Sequence, residues 1–287
     1  VIGVNNRDLR NFTVDIHNSV RLRAQVPKDI IFISESGIKT AQDIKELERN
    51  AVDGVLIGET LMRAKDRVQA LQQLKIHLKI CGLRRPEDVA YANEVQPDFA
   101  GFVFAPSKRQ VTREEAAELV EQLDPRIHTV GVFVDQPVDF IAELLAAGVI
   151  EYAQLHGSED AAYIEALRKR TALLGKTKII KTVKVGSTAD LENISEIDCE
   201  YLLLDAWSKE GEAAGGNGRT FEWSLIKALE KPFFLAGGLT VDNVQQAVRM
   251  TSPYGIDASS CMETEDCKDL NKMKAFAQAV RVNETNN

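Results

Sequence analysis

Short apolar strands alternate with helical stretches along the chain, and no other feature of the 287 residues restricts the fold more. From about residue 75, eight runs rich in β-branched residues recur every 20 to 30 residues or so. The predicted strands are 78–81, 99–104, 129–134, 152–155, 179–183, 201–205, 233–236 and 255–258, with predicted helices at 113–122, 138–147, 160–170, 223–229 and 241–250. Eight uninterrupted βα units predict a closed barrel rather than an open sheet.

The first 74 residues repeat this alternation in three units only. The predicted strands are 2–4, 30–34 and 54–57, and the predicted helices are 14–25, 40–48 and 60–74. Because three units cannot close a barrel, we expect open edges at the first and third strands. The predicted fold class is α/β, a complete (βα)8 TIM barrel at 75–287 preceded by an incomplete TIM barrel at 1–74.

Charge and cysteine content narrow the functional classes. The 35 basic and 43 acidic residues, with no basic run, argue against nucleic acid or an anionic membrane as the main partner. The longest apolar runs reach about half of the roughly 20 residues that cross a bilayer. The four cysteines form no CxxC pair and the four histidines are scattered, so their spacing does not match that of zinc ligands. We expect a soluble protein of the reducing cytoplasm that can still bind a small phosphorylated anion.

The predicted barrel carries two reactive side chains at strand ends, where barrel enzymes hold their chemistry. Cys81 ends the first strand and precedes Gly82, Arg84 and Arg85, a positive setting that favours thiolate, although a buried structural cysteine is the alternative. Asp205 ends the sixth strand after four apolar residues, where burial would raise its pKa to suit a general acid, or where it caps a helix or turn. Since these strands face each other across the barrel mouth, the pair predicts acid–base chemistry on a small substrate.

Two loops predict a phosphate site. Gly237-Gly238 follows the seventh strand and Ser259-Ser260 follows the eighth, and these two loops commonly bind phosphate in such barrels. Glycine lets backbone N–H groups approach an anion, and serine adds hydroxyl donors. The glycine-rich stretch 215–218 is a weaker signal.

Two further side chains follow strands of the barrel. Arg109 comes after the second strand and offers two planar donors to a carboxylate, with an exposed basic loop as the alternative. His156 follows the fourth strand, and we expect a packed or solvated histidine there without a role in proton transfer.

Taken in order, motifs over residues 75–287 resemble phosphoribosylanthranilate isomerase. They are Lys79-Ile80-Cys81-Gly82-Leu83, Pro86-Glu87-Asp88, Gly101-Phe102-Val103-Phe104, Ser107 to Arg109, Gly131-Val132-Phe133-Val134, Gln154-Leu155-His156-Gly157, Leu203-Leu204-Asp205, Gly215 to Gly218, Ala236-Gly237-Gly238-Leu239 and Asp257 to Ser260. The resemblance implies the Amadori rearrangement of N-(5'-phosphoribosyl)anthranilate to 1-(2-carboxyphenylamino)-1-deoxyribulose 5-phosphate. This is a step of tryptophan biosynthesis that needs no metal or organic cofactor.

The resemblance also implies roles for residues. Asp205 would protonate the ribose ring oxygen, Cys81 would remove the C2 proton, and Arg109 would bind the substrate carboxylate. The phosphate loops fall on the glycine pair and the serine pair described above. Cys261 departs from the family, which commonly has glycine there, and this puts phosphate contacts from residue 261 itself in question.

The front segment resembles the last three βα units of indole-3-glycerol-phosphate synthase, through motifs at 3–9, 34–38 and 56–62. Asn5, Arg7, Glu35 and Ser36 match substrate-binding or supporting positions of that family. The family's first five strands and catalytic lysines are missing, and Val1 reads as the middle of a strand. We therefore expect no synthase activity from this chain, and expect it to be a fragment of a bifunctional enzyme that has both activities.

Two alternatives remain open from the sequence. The related Amadori isomerase of the histidine pathway typically uses two aspartates, and Cys81 disfavours it. A non-catalytic scaffold that forms oligomers through the open edges of the partial barrel belongs to a different class, and it is compatible with isomerase activity.

Overall fold

The computed structural model describes residues 1–40, 43–44, 46–47, 50–65, 67–72, 74–206, 222–226, 229 and 231–281. The described residues divide into two compact units, one of Val1–Ile76 with Val280 and Arg281 and one of His77–Ala279. The domain boundary expected between residues 74 and 75 stays a prediction.

Eight parallel strands of the second unit form a closed barrel, which confirms the predicted fold class. They are β4 (His77–Cys81), β5 (Phe99–Val103), β6 (His128–Phe133), β7 (Tyr152–Leu155), β8 (Lys178–Val185), β9 (Tyr201–Ala206), β10 (Phe233–Leu235) and β11 (Gly255–Ala258). Each strand pairs with the next along the chain, and β11 pairs with β4, with Asp257 opposite Lys79. The closure brings the ends of the first and last strands together.

The described α-helices that follow β4 along the chain are Pro86–Val95, Arg113–Glu121, Val138–Ala146, Ala161–Arg170, Val244–Thr251 and Leu270–Arg281. After β8 the chain forms the 3-10 turns Thr188–Leu191 and Ile194–Glu196, and the helix predicted at 223–229 is a 3-10 turn, Trp223–Leu225, in its described part. A short hairpin of β12 (Glu263–Thr264) and β13 (Cys267–Lys268) follows β11. Within the described residues, no helix is long and apolar enough to cross a membrane.

Capping side chains explain where two of the helices begin. The Thr112 hydroxyl accepts a hydrogen bond from the Glu115 N–H at 3.2 Å, and the Glu115 carboxylate accepts one from the Thr112 N–H at 2.7 Å. The Asp160 carboxylate accepts from the Tyr163 N–H at 2.9 Å. Such bonds satisfy backbone donors that have no partner within the first helical turn.

Aromatic side chains fill the amino-terminal end of the barrel. Phe99, Tyr152 and Phe234 are buried at the beginnings of their strands, and Tyr201 and Tyr254 pack against them. The Phe99 and Phe234 rings meet edge to face with centroids 5.2 Å apart. This packing leaves the carboxyl-terminal end for a site.

The first unit contains the parallel strands β1 (Ile2–Asn5), β2 (Phe32–Glu35) and β3 (Gly54–Leu56), with β2 in the middle. Its described helices are His17–Arg23, Glu59–Arg63 and Arg67–Gln72. The helix predicted at 14–25 is shorter because Val14 forms a β-bridge with Arg7, and the one predicted at 60–74 is interrupted at Ala64, whose backbone is extended. The helix predicted at 40–48 lies partly outside the described residues.

We expect Phe234→Ala to destabilise the barrel by about 3 to 5 kcal/mol, because it empties the centre of the aromatic layer. Urea unfolding monitored by circular dichroism measures this change. Leu173→Ala is the control, since Leu173 is fully exposed and its loss should leave the midpoint unchanged. Equal midpoints for the Phe234→Ala variant and the unmodified protein would contradict this account of the core.

Candidate active site

A cavity of about 460 Å³ lies at the carboxyl ends of the barrel strands. The predicted site residues of the barrel all line it: Cys81, Arg109, Asp205, Gly237, Gly238, Ser259 and Ser260. They come from five strand ends or the loops that follow them. Closure of the barrel therefore collects around one cavity residues that lie up to 179 positions apart in the chain.

Cys81 sits above a buried ion pair. Lys79 lies two residues earlier on the same strand, so both side chains face the same side of it. The Lys79 ammonium is fully buried and contacts the Asp257 carboxylate at 2.9 Å. Burial raises the pKa of the Cys81 thiol, and the positive charge of Lys79 opposes that rise.

The arginines that follow Cys81 do not supply the predicted positive setting. Arg85 pairs with Asp88 at 2.7 Å, and Arg84 donates to the backbone oxygen of Asp266 at 3.1 Å. The prediction that they favour the thiolate is wrong because each is held by another partner. The positive charges that lower the pKa of the thiol are those of Lys79 and Lys268.

Asp205 is buried but has polar partners on three sides. Its Oδ1 accepts from the Ala206 N–H at 2.9 Å, and its Oδ2 lies 3.5 Å from the Lys184 ammonium and 3.6 Å from His156 Nε2. Burial alone would raise the pKa of Asp205, but the hydrogen bond and charge of His156, together with Lys184, lower it below the ordinary value. The raised pKa expected from its apolar neighbours in sequence is therefore wrong.

Arg109 is held by a carboxylate of the hairpin. Its Nε and Nη2 donate to the two oxygens of Glu263, both at 2.7 Å, and the Lys268 ammonium donates to Glu263 at 2.7 Å. Although burial acts in the opposite direction, these cations hold the pKa of Glu263 at about 2. Within the described residues Nη1 of Arg109 makes no hydrogen bond, so it is available to a ligand. Gly82 leaves room for this side chain, since a Cβ there would lie 2.4 Å from Arg109 Cδ.

The two predicted phosphate loops lie beside each other because β10 pairs with β11. Gly237 has a φ of 82°, and a Cβ on it would lie 2.6 Å from the Ala206 nitrogen, so the position requires glycine. The Ser259 hydroxyl donates to the Cys81 backbone oxygen at 2.8 Å, which commits its proton to the protein. Among the described residues, the backbone N–H groups of Gly237, Gly238, Ser259 and Ser260 have no acceptor.

Cys261 also lines the cavity, within the 3-10 turn Ser260–Met262. It is not among the residues with a positive φ, so the backbone there does not demand glycine. Burial raises the pKa of its thiol to about 11. The glycine-rich stretch 215–218 lies outside the described residues.

In the first unit, a separate cavity of about 660 Å³ is lined by Arg7 and Ser36. Asn5 and Glu35 are opposite each other in the pairing of β1 with β2, and Asn5 accepts from the Arg7 N–H at 2.9 Å. Arg7 forms an ion pair with Glu59.

Five charged residues near the cavity were not recognised from the sequence: Lys79, Lys184, Asp257, Glu263 and Lys268. Lys79 carried a signal, because its position two residues before Cys81 on a strand already places both on one face. The other four are recognised only when distant strands and the hairpin come together. Within the described residues, no group of three or more His, Cys, Asp or Glu side chains is arranged to hold a metal ion.

A closed barrel of eight parallel strands, with a thiol and a carboxylate lining its carboxyl-terminal cavity, defines the class of (βα)8-barrel enzymes. Residues 78–279 match the family model of N-(5'phosphoribosyl)anthranilate (PRA) isomerase, and residues 1–74 match that of indole-3-glycerol phosphate synthase. The chain belongs to the phosphoribosylanthranilate isomerase family and carries a synthase-like segment before the isomerase barrel.

Known proteins resemble the barrel alone or both segments. An N-(5'-phosphoribosyl)anthranilate isomerase of Thermoanaerobacter sp. is 41% identical over 72% of this chain and 98% of its own length. Tryptophan biosynthesis protein TrpCF of Haemophilus influenzae is 36% identical over 96% of this chain, which spans 58% of that protein. A solved phosphoribosyl anthranilate isomerase in complex with reduced 1-(o-carboxyphenylamino)-1-deoxyribulose 5-phosphate is 30% identical, with a TM-score of 0.60 over 71% of this chain and 98% of that one.

We expect Glu263→Gln to destabilise the protein by about 3 kcal/mol at pH 7, because Arg109 and Lys268 then keep buried charges without their carboxylate. A carboxylate whose pKa is lowered on folding stabilises the protein above its ordinary pKa of 4.5, and this stabilisation is lost as the pH falls toward 2. Urea unfolding at several pH values checks this: the difference from the unmodified protein should shrink below about pH 4.5.

Glu165→Gln is the matched control, because Glu165 pairs with Lys169 on the surface and should contribute almost nothing. A difference for Glu263→Gln that does not change with pH would count against the assigned charge state of Glu263.

Proposed function

We propose that this chain catalyses the Amadori rearrangement of N-(5'-phosphoribosyl)anthranilate to 1-(2-carboxyphenylamino)-1-deoxyribulose 5-phosphate. The observation that carries the proposal is the common cavity, which Cys81, Arg109 and Asp205 line together with the two loops after β10 and β11. The complex of the solved relative supports a ligand of this kind, since that ligand joins a carboxyphenylamino group to a sugar phosphate.

Binding would use both ends of the substrate. The free backbone N–H groups of Gly237, Gly238, Ser259 and Ser260 provide donors for the phosphate oxygens. Nη1 of Arg109 donates to the carboxylate of the anthranilate ring, while Glu263 keeps the guanidinium plane in position. These contacts hold the ribose between the thiol and the carboxylate.

The reaction then needs one acid and one base. Asp205 gives a proton to the ring oxygen as the bond between that oxygen and C1 breaks, and the nitrogen lone pair forms a C=N bond. Cys81, whose thiolate form the Lys79 charge favours against the effect of burial, removes the proton from C2, and the electron pair forms a C1=C2 double bond. The resulting enolamine gains a proton at C1 and loses one from the C2 hydroxyl, which gives the ketone. C1 is thereby reduced and C2 oxidised within one molecule.

Two other functions have less support: ring closure by the synthase-like segment and the role of a non-catalytic scaffold. For the synthase-like segment we propose no ring-closing activity on its own, because its parallel sheet has three described strands. TrpCF relatives that match both segments make both activities plausible for a longer enzyme. The alternative of a non-catalytic scaffold is not supported, since the relatives are named as isomerases.

We expect Cys81→Ser and Asp205→Asn each to lower kcat by about 10² to 10⁴-fold, the range for loss of a general acid or base. Turnover of phosphoribosylanthranilate by the purified chain, followed by chromatographic separation of the two isomers, measures the effect. Cys199→Ser is the control, because this thiol lies outside the cavity and should leave kcat unchanged. Near-normal turnover in the Cys81→Ser, Asp205→Asn double variant would rule out the mechanism.

We expect Arg109→Lys to raise KM by about tenfold or more with a smaller change in kcat, because the lysine ammonium lacks the planar fork that binds both oxygens of Glu263 while a further N–H faces the ligand. Steady-state kinetics separates the two constants. Arg126→Lys, on the exposed surface, should change neither. Equal KM values for Arg109→Lys and the unmodified protein would remove Arg109 from substrate recognition.

A further inference from the structure

This inference rests on the proposed reaction, in which Asp205 is the general acid. The charge state of Asp205 conflicts with that role. A general acid must carry its proton at working pH, and it works best with a pKa near that pH. His156 and Lys184 instead hold the pKa of Asp205 below its ordinary value, so beside these partners the carboxyl is ionised at neutral pH. The proton that reaches the ring oxygen needs another holder.

His156 is the neighbour of Asp205 that can carry a proton on either ring nitrogen. Its Nε2 lies 3.6 Å from Oδ2 of Asp205, and its Nδ1 lies 3.0 Å from the Thr182 hydroxyl and 3.1 Å from Nε2 of Gln154. An amide NH₂ can only donate, so Nδ1 is an acceptor in this arrangement and Nε2 carries the imidazole proton toward Asp205. The side chain is mostly buried at the edge of the cavity.

Gln154 has an unused acceptor at this position. Its side chain is 1% exposed, and among the described residues its Oε1 has no hydrogen-bond partner. A buried carbonyl oxygen without a partner is costly. Rotation of the terminal amide by about 180° would exchange its nitrogen and oxygen and present Oε1 to Nδ1. That orientation fits an Nδ1 that carries a proton.

We infer that His156 is a positioning residue that holds the proton for Asp205, and that the Gln154 amide rotates to match either protonation state of the imidazole. In the loaded state, Nδ1–H donates to Oε1 of Gln154, and a second proton is shared between Nε2 and Oδ2 of Asp205. In the empty state, the imidazole is neutral and Asp205 is a carboxylate.

As the C1–O bond breaks, the proton shared between Nε2 of His156 and Oδ2 of Asp205 passes through Oδ2 to the ring oxygen. Asp205 is left as a carboxylate and the imidazole is left neutral, with its one remaining proton. One proton has moved to the substrate, and one proton from water at the open mouth of the cavity restores the loaded pair.

Other charged groups bear on this pair from the neighbouring strands. Lys184 of β8 contacts Asp205 and favours its carboxylate, whereas Asp257 of β11 acts on His156 and Asp205 through its charge. Asp257 is itself paired with Lys79, so its effect is partly cancelled. The two neutral partners, Gln154 and Thr182, decide which nitrogen of the imidazole bears the proton.

The first test is the dependence of kcat on pH in His156→Gln. Glutamine can still bond to Asp205 but holds no transferable proton, so Asp205 becomes the sole acid, with Lys184 and the Ala206 N–H still favouring its carboxylate. We expect the ratio of kcat for the unmodified protein to kcat for the variant to increase with pH, by up to about tenfold per unit, until the unmodified protein also loses the shared proton. KM should change less than twofold or so.

His128→Asn is the matched control, because His128 lies at the opposite end of the barrel and contacts Glu151. It should keep the pH profile of the unmodified protein. A His156→Gln variant that loses the same fraction of kcat at every pH would indicate a purely structural role and overturn the inference.

The second test needs no substrate and covers the case in which His156→Gln does not fold. With ¹⁵N-labelled imidazoles, NMR of the free protein should show a neutral His156 with its proton on Nε2 at high pH. On acidification both nitrogens should become protonated while the Gln154 amide signals shift in step. Gln154→Met, which keeps the side-chain size but lacks an acceptor for Nδ1–H, should lower kcat at neutral pH by about tenfold.

The outcomes separate the two proposals. If the unmodified protein does not isomerise phosphoribosylanthranilate, the proposed function fails while the NMR test still decides the His156 arrangement. A neutral His156 protonated on Nδ1, or Gln154 amide signals that ignore its titration, would overturn the inference alone.

Discussion

Closing a barrel of eight parallel strands joins the first strand to the last, and in this chain that junction is β4 against β11. The buried ion pair of Lys79 with Asp257 crosses it, and the Ser259 hydroxyl donates to the Cys81 backbone oxygen just above. These contacts join residues that are 178 positions apart. The thiol and the serine loop therefore come together to line the cavity only when the barrel closes.

The charges around the cavity are arranged before any substrate binds. Glu263 holds Arg109 and Lys268, while Ala206, Lys184 and His156 surround Asp205. Such preorganisation lowers the cost of reorganisation during the reaction. It also reverses the directions in which the neighbours in sequence suggested that the pKa values of Cys81 and Asp205 would shift, and this is why Asp205 needs a partner that holds the proton.

Much of the fold was predictable because buried parallel strands produce dense apolar runs. All eight barrel strands were predicted within two residues at each end, as for Tyr152–Leu155 and Gly255–Ala258. The errors concern local contacts that outweigh periodicity. The helix predicted at 14–25 loses its start to a β-bridge of Val14, and the one at 223–229 begins as a 3-10 turn. No sequence pattern as strong as the apolar runs predicted the hairpin that carries Glu263 and Lys268.

The sequence by itself determined the alternation of strands and helices, the order of the motifs and the residue types at the strand ends. These are local properties, set by side-chain hydrophobicity and by chain position. The tertiary structure alone decided which charges meet: Lys184 and His156 at Asp205, Glu263 at Arg109, and Asp257 at Lys79. The reason is that electrostatic interactions depend on distance in space and on burial, and neither is set by separation along the chain.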